Sequence, residues 1–229
     1  MLSLNLKHYI SHLPSQQNIG CCTASASLLA AEIIMSSVGR AERFSRLYVY
    51  YMSRKLQGRV GHNGVELADA LTAMQQYGVA TDKTWPFHIN RVNTVPNSEA
   101  ITEASQYKLG SYKWANVDLF KDYLNQEIPI IIGLHMGRML WKLKGSLSEQ
   151  TYKPINTTDN RKYRDHAVTI IGFDDTILGG SWIIANSFGL TWGDHGFGIL
   201  PYECNRDIGE SYVITEFAGI IPGKKISEN

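Results

Sequence analysis

The chain has 229 residues, and its 22 basic and 21 acidic side chains leave a formal net charge of +1. No long run of one sign occurs, which argues against nucleic acid or a membrane surface as the main partner. The longest apolar run beside a strand pattern, residues 128–134, is too short to cross a bilayer, and the N-terminus lacks the pattern of a secretory signal. These features predict a soluble protein with one substantial core or two small lobes.

Most of the predicted helices lie in the first half of the chain, where apolar residues recur at helical spacing. A glycine follows each of the first three segments and marks the end of the helix. The predicted helices are Cys22–Val38, Ser45–Gln57, Val65–Tyr77, Ser98–Ser105 and Val117–Asn125.

Strand patterns dominate the second half, where short apolar runs are bounded by turn residues. Between them, the polar stretch 137–164 has little periodicity and predicts a long loop or flap. Helices followed by strands predict an α+β fold with a site between two lobes. The predicted strands are Tyr107–Trp114, Pro129–His135, Ala167–Phe173, Trp182–Ala185, Phe197–Leu200 and Tyr212–Phe217.

The three cysteines, Cys21, Cys22 and Cys204, do not form a useful disulfide framework. An odd number of thiols suits a reducing compartment, which predicts a cytoplasmic protein or one delivered to a host cytosol by a route that needs no signal peptide.

Cys22 follows a Gly-Cys pair and begins the first long predicted helix. Unpaired backbone N–H groups and the helix dipole at this position favour the thiolate, which is the nucleophilic form of cysteine. Taken alone, the pattern fits an inert buried cysteine better, since most cysteines are structural.

His166 precedes an apolar strand, and Asn186 follows another. A histidine at a strand end can act as a base toward a facing thiol, and an amide oxygen can orient the imidazole ring. Gln16, six residues before Cys22, can direct its amide toward an oxyanion, together with the Cys22 backbone N–H. Singly, these residues also fit a structural histidine, a turn asparagine and a surface glutamine.

In the order glutamine, cysteine, histidine and asparagine, these motifs resemble the papain family of cysteine peptidases. The likeness is carried by QQNIGCCTASA, HAVTIIGFDD and SWIIANSFGLTWGDHGFGI, and extends from Gln16 to about Tyr202. The G-x-C-T-A pattern at Gly20–Ala24 is similar to that of bacterial and viral members.

The resemblance implies a single catalytic domain over residues 1–229 with the papain-like two-lobe fold. A mainly helical left lobe would cover about 16–105 and a β-barrel-like right lobe about 106–220, with the active-site cleft between them. It also implies that Gly64, Val65, Gly133, Ala167 and Trp192 line the substrate site, with Gly133 and Ala167 in the pocket for the second residue before the cut.

Three positions or regions depart from the family pattern. Phe188 stands where a tryptophan usually covers the asparagine–histidine hydrogen bond, and is expected to shield it less completely. Ile19 occupies the position of a common disulfide cysteine, and His62 faces it in the matching segment. Few residues precede Gln16, so the usual inhibitory propeptide is expected to be missing. The activity is then expected to be controlled in another way, for instance by a separate inhibitor or regulator.

The sequence therefore predicts a cysteine endopeptidase that cleaves an extended peptide or protein substrate through a thioester. A transamidase, deamidase or isopeptidase with the same residues is the alternative, and a non-catalytic peptide-binding relative is the third. No cofactor is expected, and neither H-E-x-x-H nor C-x-x-C occurs to indicate a metal site.

Overall fold

The computed structural model describes residues 2–58, 61, 64–135 and 166–223. The loop predicted at 137–164 and the position of His62 lie outside the described residues. Within them, the chain is an α+β protein whose helices pack against one antiparallel sheet.

Five α-helices form close to their predicted positions. Ser45 caps α2, because its hydroxyl accepts a hydrogen bond from the Tyr48 N–H at 3.1 Å. The predicted helix Val117–Asn125 is instead a 3-10 turn, Val117–Leu119, followed by α5. The helices are α1 (Cys22–Ser37), α2 (Arg46–Leu56), α3 (Leu67–Gln76), α4 (Ser98–Ala104) and α5 (Phe120–Asn125).

Seven strands form the sheet in the order β2-β7-β3-β4-β5-β6, with β1 joined to β4. All the described pairs are antiparallel. The strands are β1 (Ser3–Asn5), β2 (Leu109–Trp114), β3 (Ile130–Leu134), β4 (His166–Asp174), β5 (Ser181–Ala185), β6 (Phe197–Pro201) and β7 (Ile208–Phe217).

Strand β1 was not predicted because it has only three residues, although Leu2, Leu4 and Leu6 alternate with Ser3 and Asn5. Its position is determined by β4, since Leu4 lies opposite Phe173 and Asn5 lies opposite Gly172. A Cβ atom on Gly172 would come within 2.2 Å of the Leu4 carbonyl oxygen. Glycine at this position therefore lets the N-terminal strand approach β4.

Helix α1 runs through the centre of the molecule, and every residue from Thr23 to Met35 is buried. Most of its apolar residues pack with α2 and α3, whereas Leu29 and Ile33 belong to a second core cluster that includes residues of β3, β4 and α5. The Thr169 hydroxyl on β4 donates to the Ala26 carbonyl oxygen at 2.9 Å. The first turns of α1 are thereby held against the beginning of β4.

A buried ion pair joins α1 to α2. The Arg46 guanidinium donates to both carboxylate oxygens of Glu32, at 2.6 and 2.7 Å. Glu32 also accepts from the Phe44 N–H at 2.8 Å, and Arg46 donates to the Phe44 carbonyl oxygen. This network fixes the approach of α2 to the central helix.

In the part of the chain that the structure describes, no helix is long and apolar enough to span a membrane.

Candidate active site

Cys22 is the first residue of α1 and is half-buried. Its neighbour Cys21 occupies the N-cap without a side-chain hydrogen bond to the first turn. The N–H groups at the start of the helix are therefore not covered by a capping side chain, and they favour negative charge on a sulfur placed there.

The other two cysteines are buried, and none of the three forms a disulfide. Burial raises the pKa of Cys21 to about 12, and burial likewise raises the pKa of Cys204 to about 12. Neither thiol forms a thiolate readily near neutral pH, so Cys22 is the one suited to nucleophilic chemistry.

His166 begins β4, and Asn186 follows the end of β5, the neighbouring strand. The His166 Nε2 lies 2.7 Å from the Asn186 Oδ1, which also accepts from the Ser187 N–H at 2.7 Å. Because an amide oxygen only accepts, Nε2 carries the proton of this hydrogen bond. In the neutral ring, Nδ1 is then the nitrogen that can take up a proton.

One aromatic ring packs on the His166 imidazole, and a second packs against the first. The Phe188 ring stacks on the imidazole with centroids 4.4 Å apart, and Trp192 meets Phe188 edge-on at 6.1 Å. His166 is 4% exposed and Asn186 is 2% exposed. Burial lowers the pKa of His166 to about 4, and the hydrogen bond to Asn186 opposes this effect.

The buried imidazole predicts a loss of stability in acid, best measured in the Cys22→Ala variant, in which no thiolate can pair with the ring. A pKa near 4 instead of 6.5 means that the unfolded chain binds this proton more readily than the folded protein. The contribution of the neutral His166 ring to the free energy of unfolding is complete above pH 6.5. As the pH falls toward 4, this contribution decreases by about 3 kcal/mol.

Urea unfolding of the Cys22→Ala variant across this pH range measures the effect. The double variant Cys22→Ala/His166→Gln is the control, because the carboxylates that titrate in the same range are common to both proteins. Identical pH dependence of the two unfolding free energies contradicts the prediction.

Gln16 is buried next to Ser187, the residue that follows Asn186, and both ends of its amide are hydrogen-bonded. Its Nε2 donates to the Ile19 carbonyl oxygen at 2.8 Å, and its Oε1 accepts from the Ser187 hydroxyl at 2.6 Å. The Gln16 N–H also donates to the Ser187 carbonyl oxygen at 2.7 Å. The amide orientation is thereby fixed, with one N–H left over after the bond to Ile19.

Ser187 links Gln16 to Asn186 and was not predicted as a site residue. Its hydroxyl holds Gln16, while its backbone N–H holds the Asn186 side chain. The only local signal was a serine directly after Asn186, a pair that also fits an ordinary turn.

Of the five residues predicted to bind substrate, one lies near the start of α1 and two are paired in the sheet next to His166. Gly64 is exposed, and a Cβ atom on it would lie 3.9 Å from the Gly20 carbonyl oxygen, two residues before Cys22. Gly133 pairs with Ala167 across β3 and β4, next to His166.

Three of the five predicted substrate-binding residues are largely covered: Val65 is 7% exposed, Ala167 is 2% exposed and Trp192 is 4% exposed. Val65 and Ala167 belong to the core cluster against which Cys22 packs. Trp192 packs behind Phe188. Contact of these three with a substrate stays a prediction.

No group of three or more histidine, cysteine, aspartate or glutamate residues that could hold a metal ion occurs within residues 2–58, 61, 64–135 and 166–223.

A family model described as "Papain family cysteine protease" matches residues 4–215. An uncharacterized peptidase C1-like protein of Acanthamoeba polyphaga mimivirus is 26% identical over 211 residues, which cover 84% of this chain and 65% of that protein. Cysteine proteinase 3 of Entamoeba histolytica is 23% identical over 186 residues, which cover 75% of this chain and 55% of that protein. The chain thus spans about two thirds of the first relative and about half of the second.

Solved structures of cysteine proteases have the same fold. Xylellain from Xylella fastidiosa superposes with a TM-score of 0.79 at 23% identity, covering 93% of this chain and 85% of that one. A Carica candamarcensis cysteine protease superposes with a TM-score of 0.70 at 18% identity, covering 93% and 97%. The predicted α+β two-lobe architecture is confirmed by these likenesses.

Proposed function

Because the chain belongs to the papain family of cysteine proteases, we propose that it hydrolyses peptide bonds with Cys22 as nucleophile and His166 as its acid–base partner. Asn186 orients the imidazole in this proposal. The observation that carries it is the buried hydrogen bond of 2.7 Å between His166 Nε2 and Asn186 Oδ1, which leaves Nδ1 for proton transfer.

In the resting enzyme, the Cys22 proton moves to His166, giving a thiolate and an imidazolium. Burial alone disfavours the imidazolium, as the lowered pKa of His166 indicates. A thiolate beside the ring opposes this effect, because an opposite charge stabilises the protonated form. The start of α1 stabilises the thiolate in turn.

The thiolate attacks the carbonyl carbon of an extended peptide, and the carbonyl oxygen takes up the negative charge. The remaining N–H of the Gln16 amide and the Cys22 backbone N–H donate to this oxyanion. His166 then protonates the leaving amine as the C–N bond breaks, which leaves a thioester on Cys22. Water, deprotonated by His166, then attacks the thioester, and the C–S bond breaks to release the acid and restore the thiolate and imidazolium.

The free state of all three cysteines supports a reducing compartment as the place where the enzyme acts.

Replacing Gln16 with alanine is expected to lower kcat by about 10²–10³-fold with little change in KM, because an oxyanion donor acts mainly in the transition state. Gln17→Asn is the matched control, since Gln17 is exposed and adjacent. Steady-state kinetics on one peptide substrate compare the two variants. An equal loss in both variants contradicts a specific role for Gln16.

Mass spectrometry of the products tests the proposed reaction. We expect a mixture of unmodified peptides to yield cut chains, whereas a transamidase would yield ligated chains and a deamidase an intact chain with an altered side chain. An electrophilic epoxide should label Cys22 faster than Cys21 or Cys204, since both of those are buried. Intact peptides, together with equal labelling of all three cysteines, would point to a non-catalytic relative and refute the proposal.

A further inference from the structure

Arg54, in the last turn of α2, is buried and bonded to three separate segments of the chain. Its Nη1 donates to the Gly61 carbonyl oxygen and to the Asn93 Oδ1, both at 2.8 Å. Its Nη2 donates to the Val92 carbonyl oxygen, and its Nε to the Tyr50 carbonyl oxygen on its own helix. The guanidinium thus joins the chain at Gly61 to α2 and to the segment around Val92.

The acceptors of Arg54 are backbone carbonyls and one amide oxygen. Among the residues that the structure describes, no carboxylate lies within ion-pair distance of its guanidinium. A guanidinium that is 4% exposed and pairs with no carboxylate of the described residues is costly to bury, so its hydrogen bonds have to offset that cost. The guanidinium has five N–H donors in a fixed planar arrangement, so it can bond several acceptors at once. The ammonium group of a lysine would not reproduce these bonds.

Gly61, which Arg54 holds, is followed three residues later by Gly64, a residue predicted to line the proposed cleft. Gly61 and Gly64 are three residues apart, so the chain between them spans at most about 11 Å. Gly64 lies against Gly20, which precedes Cys22 by two residues. The position of Gly61 therefore limits where the exposed backbone at Gly64 can lie, next to Gly20.

A second contact links Arg54 to the same region. The guanidinium lies over the Tyr50 ring, 4.3 Å from its centroid, and Tyr50 is fully buried. Burial raises the pKa of Tyr50; the Arg54 charge opposes this, and Cys21 and Cys22 add to it. Tyr50 and Cys21 belong to the same core cluster, against which Cys22 packs.

We propose that Arg54 is a positioning residue for substrate: by holding Gly61, it fixes the Gly64 wall on which the part of an extended peptide before the cut binds. This inference rests on the proposed peptidase function. Arg54 does not touch the reacting atoms, so its loss weakens binding of a long substrate while leaving the reactivity of the Cys22 thiolate intact.

The test compares two buried arginines of α2. Arg54→Lys keeps the positive charge but removes the planar set of guanidinium donors. Arg46→Lys is the matched control, because it makes the same change at an arginine bonded to Glu32 and to the Phe44 carbonyl oxygen. Asn93→Ala removes one hydrogen-bond acceptor of Arg54 by changing an exposed residue, and replaces Arg54→Lys in the test if that variant does not fold.

KM and kcat are measured on a peptide that extends several residues before the cut and on a minimal one, with iodoacetamide alkylation of Cys22 in parallel.

We expect Arg54→Lys to raise KM for the long peptide by about tenfold, with KM for the minimal peptide and the alkylation rate nearly unchanged. Asn93→Ala should shift KM in the same direction by a smaller factor, and Arg46→Lys should not shift it. The inference is overturned if the folded Arg54 and Asn93 variants keep the wild-type KM for the long peptide. It is also overturned if Arg46→Lys gives the same rise, or if alkylation slows as much as KM increases.

Failure of the proposed function would look different, because wild type and Cys22→Ala would then be equally active or equally inactive on both peptides.

Discussion

Replacing Cys22 with alanine is expected to lower kcat/KM for peptide hydrolysis by about 10⁵-fold or more, since the covalent route through the thioester is then closed. The residual rate would come from substrate binding and the oxyanion donors alone. Steady-state kinetics on a peptide cut by the wild-type protein measure the loss.

Cys21→Ser is the matched control for this substitution. Cys21 is the neighbouring residue and has a thiol, but it is fully buried and burial raises its pKa to about 12. Its loss is expected to change kcat/KM only by the small factor that local repacking causes. A Cys22→Ala protein as active as wild type on a peptide would exclude Cys22 as nucleophile.

Replacing Glu32 with glutamine is expected to lower the free energy of unfolding by about 3–5 kcal/mol, because it leaves the Arg46 charge buried without its partner. The side chain of Arg46 is 4% exposed and that of Glu32 is 11% exposed, so solvent screens the pair little. For a chain of this size, such a change lowers Tm by about 10 °C. Thermal and urea unfolding, followed by circular dichroism, measure both quantities.

Glu99→Gln is the control for the Glu32 substitution. Glu99 is exposed in the first turn of α4, so its neutralisation removes only a weak interaction with the helix dipole, about 0.5 kcal/mol or less. A Glu32→Gln protein that unfolds at the same urea concentration as Glu99→Gln would show that the ion pair contributes little to stability.

The helices and most strands were predictable because their signals are local. Helix α1 begins at Cys22 and α2 is capped by Ser45, as their side chains and the apolar spacing predicted. Boundaries were less accurate where neighbouring strands extend the pairing: β7 begins at Ile208, four residues before its predicted start, through its contacts with β3.

Strand β1 and the division of the Val117–Asn125 segment were not predicted. Leu2, Leu4 and Leu6 do alternate with polar residues, but so short a pattern does not distinguish a strand from a loop, and three residues of 3-10 turn have no periodic pattern of their own. The three residues of β1 become a strand only because β4 extends past its pairing with β3, so that its residues 172–174 are available to pair with β1.

The groups available for chemistry could be identified from the amino-acid sequence: a cysteine at the start of a helix, a histidine before a strand, an asparagine after the next strand and a glutamine upstream. How these side chains are held follows from the folded arrangement. The hydrogen bond from Ser187 to Gln16 joins residues 171 positions apart, and the bond from Arg54 to Asn93 joins residues 39 positions apart. Periodicity describes neighbours along the chain, whereas these contacts depend on the packing of the sheet against α1 and α2, which brings distant residues within hydrogen-bonding distance.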